Sequence, residues 1–198
     1  MTTLIALQHD DWCLIAADSQ TTGYGISSDC SPMGKIAMNH DYLVAGAGFV
    51  RGMNLIQHSF IPPAPPRTNL DKFMVNKFIP RLRKVFVDSG YDIKSDGDPA
   101  SQDNEFIVAI NGVLYFIDEV YGVERTKNKL YSAGTGSQLA LGAASALGAE
   151  KAESYEDAID ILHCAVKVAI EFDVNSGGKV QMAMQTTNNE TFVELLDN

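Results

Sequence analysis

The 198 residues, 45% of them hydrophobic, suit one domain over residues 1–198 with a sizeable core. Asp and Glu outnumber Lys and Arg by 25 to 15, a formal net charge of -10, which disfavours nucleic acid or an anionic membrane surface as a partner. No apolar run approaches a membrane span and the start lacks the charge-then-apolar order of a secretory signal, so the expected place is the cytoplasm.

In chain order, residues 2–7 predict a short apolar strand, 8–11 a turn, and 12–17 a returning strand that ends on Asp18. Such a hairpin brings Asp18 close to the start of the chain. Lys35 enters the next strand pair, which runs through 42–48 and closes on Gly46-Ala47-Gly48. Residues 50–59 predict a helix, stopped by the proline-rich stretch 61–66. Residues 69–87 carry Leu70, Phe73, Met74, Phe78, Leu82, Val85 and Phe86 near helical spacing, with Pro80 as a kink. The segment 88–104, rich in Asp, Ser and Gly, predicts an exposed loop. Asn111-Gly112 between 105–110 and 113–118 predicts a tight hairpin, because both residues tolerate positive φ. A small-residue helix over 137–148 follows, then a helix from Ser154-Tyr155-Glu156-Asp157, which resembles a capping box, to about Phe172. Strands over 180–186 and 191–195 end the chain. Repeats and low-complexity segments are absent. Cys13, Cys30 and Cys164 are odd in number and widely spaced, which disfavours a disulfide framework or zinc site and predicts core packing for Cys13 and Cys164. His9, His40, His58 and His163 fall in no metal-ligand spacing.

Chemistry gathers at the start. Removal of Met1 would leave Thr2 with a hydroxyl and a free α-amine on one residue, and the amine, with a reference pKa of about 7.7–8.0, can act as the hydroxyl's base. A lysine beside that hydroxyl favours the alkoxide, and a carboxylate holds the lysine charged and fixed. Lys35 and Asp18 are the residues for these tasks.

These segments together resemble the β-type subunits of the proteasome and, at the chain start, the HslV-type peptidases, members of the N-terminal nucleophile hydrolases. Thr2-Thr3, Ala16-Ala17-Asp18-Ser19-Gln20-Thr21-Thr22 and Lys35 overlay the HslV-type pattern, the lysine after one extra residue. Ser132-Ala133-Gly134-Thr135-Gly136-Ser137 resembles the family's Gly-Ser-Gly turn, with Thr135 where serine is usual, and Asp173-Val174-Asn175-Ser176-Gly177-Gly178 matches its Asp-x-x-Ser-Gly-Gly element.

The resemblance implies an α+β fold, a four-layer αββα sandwich of two antiparallel sheets between helix layers. It implies a threonine endopeptidase with Thr2 as nucleophile, Lys35 lowering its pKa, Asp18 holding Lys35, and Thr135, Asp173 and Ser176 as a polar network near the amine. The Gly48 amide is the favoured oxyanion donor and Ala47 the next, with Gly46 and Thr22 also facing substrate. No cofactor is required; main-chain carbonyls at Ile170, Asp173 and Ser176 are a candidate site for a monovalent or divalent cation. The implied partners are further copies in a homo-oligomeric double ring, with helix 69–87 a candidate ring surface, and unfolded polypeptides delivered by an ATP-driven unfoldase. ATP would act in that partner, because the chain has no Gly-x-x-x-x-Gly-Lys loop. Two other readings stay open: a non-catalytic ring or assembly scaffold of the same fold, if Met1 is retained, and an N-terminal nucleophile amidase acting on a small amide.

Overall fold

A computed structural model describes residues 2–23, 26–29, 34–92 and 101–196. Strands β1 (Leu4–Gln8) and β2 (Trp12–Asp18) form the expected first hairpin, and β3 (Gln20–Gly23) pairs with β4 (Ile26–Asp29). Next come β5 (Ile36–Asn39) and β6 (Tyr42–Gly48), then the helices α1 (Val50–Asn54), α2 (Leu70–Phe73) and α3 (Ile79–Asp88). The hairpin of β7 (Asn104–Ile110) and β8 (Val113–Ile117) turns at Asn111 and Gly112, whose φ angles of 51° and 71° are those a tight turn needs. After β9 (Val123–Glu124) and β10 (Leu130–Ala133) come α4 (Ser137–Ala146), α5 (Tyr155–Phe172), β11 (Val180–Thr186) and β12 (Thr191–Leu196).

One five-stranded antiparallel sheet runs β10-β1-β2-β11-β12, and a second runs β5-β6-β7-β8-β9. Side-chain alternation along the strands then divides the core. From β1, Leu4 and Ala6 point between the two sheets, where they meet Leu43, Ala45, Ile107 and Ala109. Ile5 and Leu7 point the other way, against Ala158, Leu162, Ala165 and Ala169 of α5. Over the far side of the second sheet, Val44, Phe106 and Val108 pack with Ile56, Phe60, Phe78 and Phe86. β2 is buried along its whole length, because both of its faces are covered.

The four-layer αββα sandwich of two sheets is corrected here. The described strands make three antiparallel sheets, because β3 and β4 pair only with each other, and the molecule is richer in strands than the expectation allowed. The helical segments do not form two regular layers. Residues 50–59 begin as five α-helical residues and widen into a π-turn at Leu55–Ser59. Residues 70–88 are interrupted by a second π-turn at Met74–Phe78, just before Pro80, which has no N–H to donate to the preceding turn. Pro80 is thus absorbed in the first turn of α3.

Cys13 is buried between the sheets, where loss of solvation pushes its thiol up to about 12. Cys164 is a second correction: it lies on the exposed side of α5, since its helical position points away from the Ala158–Leu162–Ala165 stripe. Cys30, Met1 and residues 93–100 of the expected loop lie outside the described residues. Among the described residues, no helix is long and apolar enough to cross a membrane.

Candidate active site

Asp18 is the last residue of β2, a strand flanked by β1 and β11, so its carboxylate is carried into the interior with no exposed surface. Burial of an ionised carboxylate requires donors. Four are present. Oδ1 accepts from the Lys35 ammonium at 2.6 Å and from the Thr3 amide at 2.8 Å; Oδ2 accepts from the Gly177 amide at 2.9 Å and the Gln20 amide at 3.2 Å. The strand-end carboxylate thus ties together the chain start, the lysine and the Ser176-Gly177 turn.

Lys35, itself buried, stands just before β5. Its position is fixed by Gln181 of β11, whose Oε1 accepts from the Lys35 and Ile36 amides at 2.8 and 3.0 Å, while Nε2 donates to the Ile36 carbonyl at 2.9 Å. A Cβ on Gly34 would lie 2.6 Å from the Gln181 amide nitrogen, and its φ of +66° is also one that glycine favours. Sequence reading missed Gln181, whose partners lie about 145 positions away.

Thr3 and Thr2 face different neighbours. Thr3 has no exposed surface, and its Oγ1 lies 2.7 Å from Ser176 Oγ. Ser176 Oγ in turn donates to Asp173 Oδ2 at 2.8 Å, so the Thr3 hydroxyl is the donor to Ser176. Thr135 donates to the same carboxylate oxygen at 2.7 Å, and Asn175 reaches the other through its amide nitrogens at 3.1 and 3.2 Å. Burial pushes the Asp173 carboxyl up, but the hydroxyls of Thr135 and Ser176 and the Asn175 donors outweigh it and hold the group below its ordinary value. Thr135, Asp173 and Ser176 therefore converge as expected, but the hydroxyl they reach belongs to Thr3. The turn before α4 packs against the chain start, with Gly136 donating to the Thr2 carbonyl at 3.4 Å. A Cβ on Gly136 would collide with Thr3 Oγ1.

Thr2 opens onto a cavity of about 230 Å³, together with Lys35, Gly46, Gly48 and Thr22. Thr2 is 5% exposed. The third sheet supplies a wall of this cavity through Thr21 and Thr22 of β3 and Ser28 and Asp29 of β4. Val50, Met53, Asn54 and Gln57 of the broken helix 50–59 also line it. Gly46 must lack a side chain, since a Cβ there would overlap the Met53 sulfur. Ala47 instead packs between the sheets, as strand alternation requires. Gln57 is 8% exposed, and its Nε2 has no hydrogen-bond partner among the described residues. Asn104, also missed in the sequence, sits against Gly48 across the β6–β7 pairing.

Ile170 lies on α5 and packs against the first sheet's cluster, while the Asp173 carbonyl accepts from the Ser176 amide at 2.9 Å. Among the described residues no group of three His, Cys, Asp or Glu side chains converges to hold a metal.

No family model and no curated protein matches the chain. Solved structures do. Thiobacillus denitrificans BPH superposes with a TM-score of 0.74 at 24% sequence identity, over 99% of this chain and 99% of that one. Thiobacillus denitrificans BPH in complex with epoxomicin superposes with a TM-score of 0.73 at 23% identity, over the whole of both chains. At these identities the likeness is one of fold, and it extends from end to end.

Proposed function

We propose that the chain is an N-terminal-threonine hydrolase, a threonine endopeptidase of the proteasome β-subunit and HslV-type family, with Thr2 as nucleophile once Met1 is removed. The observation that carries this reading is the buried Lys35–Asp18 ion pair, whose Lys35 lines the same cavity as Thr2. A buried ammonium is costly unless it is paired, and one that lines the same cavity as a hydroxyl has a chemical use there.

In this reading Thr2 Oγ attacks the peptide carbonyl while its own amine takes the proton through a bound water. Lys35 lowers the hydroxyl's pKa, with its ammonium held by Asp18 and its main chain by Gln181. Gly48 is the oxyanion donor. The Asp173 cluster steadies the chain start through Ser176 and Thr3. Support also comes from the fold neighbour that binds epoxomicin, a peptide epoxyketone. That warhead class reacts with both the hydroxyl and the amine of a terminal threonine. Assembly into a double ring, feeding by an ATP-driven unfoldase and a cation on the carbonyls near Asp173 belong to the same proposal.

Intact-mass spectrometry before and after incubation with an epoxyketone peptide tests it. The expected result is loss of Met1 and one adduct, both seen with peptidase turnover, and neither adduct nor turnover in Thr2→Ala. Retained Met1 with no adduct, or full turnover in Thr2→Ala, would overturn the assignment.

A further inference from the structure

We propose that Asn104 is the positioning residue of the oxyanion site, clamping the peptide group that joins Ala47 to Gly48; this rests on the reading above that the Gly48 amide receives the oxyanion.

Gly48 closes β6, and its register partner in β7 is Asn104, which is 1% exposed. Asn104 Nδ2 donates to the carbonyls on both sides of Gly48, that of Ala47 at 3.3 Å and that of Phe49 at 3.0 Å. The Ala47 carbonyl and the Gly48 N–H belong to one peptide group. A bond accepted at its oxygen fixes the plane of that group and polarises it, so the N–H on the opposite side becomes better aimed and a stronger donor. The bond to the Phe49 carbonyl holds the peptide that joins Phe49 to Val50, and so the clamp spans the residue whose φ of +122° only glycine readily adopts.

The clamp is itself held. Tyr91 Oη donates to Asn104 Oδ1 at 2.8 Å, while the Ala47 and Phe49 carbonyls, which can only accept, define which end of the carboxamide is the donor. Burial pushes the Tyr91 phenol up to about 12, so it keeps its proton for this bond. Gln102 grips the Asn104 main chain, accepting from its amide at 3.1 Å and donating to its carbonyl at 2.6 Å. The space is matched to this side chain, because a Cβ on Gly48 would lie 2.6 Å from Asn104 Nδ2 and one on Gly52 would overlap Oδ1. An asparagine whose only task were to fill the strand end would need none of this orientation.

Asn104→Asp keeps the shape and removes the donor, and Tyr91→Phe keeps the donor and removes its orientation. Both are compared with the wild type in kcat and KM on a fluorogenic peptide, in affinity for a peptide aldehyde, whose adduct places an oxygen where the oxyanion forms, and in melting temperature. For Asn104→Asp, kcat should fall about ten- to a hundredfold, less than or comparable to the 10²–10³-fold cost of deleting such a donor outright. KM should stay within about twofold, with aldehyde affinity falling in step with kcat. Tyr91→Phe should show the same split at smaller size, and it carries the test if Asn104→Asp does not fold. Unchanged kcat and aldehyde affinity in the folded variants, or a loss confined to KM, would overturn the clamp while epoxyketone labelling of the wild type still supported the peptidase. A wild type that takes no epoxyketone would overturn both.

Discussion

Helix α5 runs for 18 residues without a break, whereas the chain over the second sheet advances through 50–59 and 70–88 in pieces separated by two π-turns. The first helix buries Ala158, Leu162, Ala165, Val166 and Ala169, a mostly small stripe that lets it lie close along β1 and β2. The broken segments bury Met53, Ile56, Met74, Phe78 and Phe86, whose bulk tolerates irregular spacing. Asn39 makes one break workable, since its Nδ2 donates to the Ile56 and Phe60 carbonyls at 2.8 Å each. The cavity is walled by the irregular region, through Val50, Met53, Asn54 and Gln57, and by no residue of α5. The regular helix backs the sheet from which Asp18 projects. Stability and the shape of the cavity are thereby assigned to different helices, and each half of that division can be tested.

The largest effect is expected at the anchored side. Lys35→Ala should lower turnover on the order of 10²–10³-fold, because the charge lining the cavity with Thr2 is lost. Removing one partner of a buried pair typically costs about 3–5 kcal/mol. Here the cost should fall at or below the lower end, since the Thr3, Gly177 and Gln20 amides still hold Asp18. Turnover and a melting curve on the same preparation decide it. A mutant that keeps most of its rate would move the activating charge elsewhere.

The approach of Asp18 to the chain start was legible because hairpin geometry brings the start of β1 and the end of β2 together, whereas Lys35, outside that hairpin, was singled out by its chemistry and the family resemblance. The 111–112 turn and the Ser154 start of α5 were legible for similar local reasons. The third sheet was not: Gln20-Thr21-Thr22-Gly23 carries no apolar alternation from which a strand could be read. That hidden hairpin is one reason the two-sheet architecture failed, and it forms a wall of the cavity. The contact of Ser176 with Thr3 followed from a detail that motif spacing does not carry, namely that successive residues in extended chain face opposite ways. Gln57, Asn104 and Gln181 were out of reach for another reason. The contacts of Asn104 and Gln181 exist only after segments about 55 to 145 residues apart are brought together, and the place of Gln57 in the cavity wall depends on the same assembly.

On the irregular side, the expected effect is on selectivity. Gln57 lines the cavity from within the first π-turn, and its Nε2 lacks a partner among the described residues. A carboxamide with unmet hydrogen-bonding capacity favours a substrate side chain that can meet it, such as glutamine, over leucine at the residue before the cleaved bond. A net hydrogen bond of roughly 0.5–1.5 kcal/mol corresponds to a preference of up to about tenfold. Gln57→Leu should reverse that preference in kcat/KM while leaving melting nearly unchanged. An identical selectivity profile in wild type and mutant would show that this wall does not read the substrate.

The smallest effect should come from the regular side, away from the cavity. Ser154 caps α5 by accepting the Asp157 amide at 3.1 Å, with Glu156 and Asp157 in the first turn where the helix dipole favours negative charge. Ser154→Ala should cost about 1 kcal/mol, a fall in melting temperature of roughly 2–4 °C for a domain of this size. Because Ser154 lies at the end of α5 opposite the Asp173 cluster, the rate of epoxyketone labelling at 25 °C should match the wild type. A labelling rate that fell together with the melting temperature would mean that the cap reaches Thr2 through α5 and the Asp173 cluster at its far end, and the separation between a helix that stabilises and helices that shape the pocket would not hold.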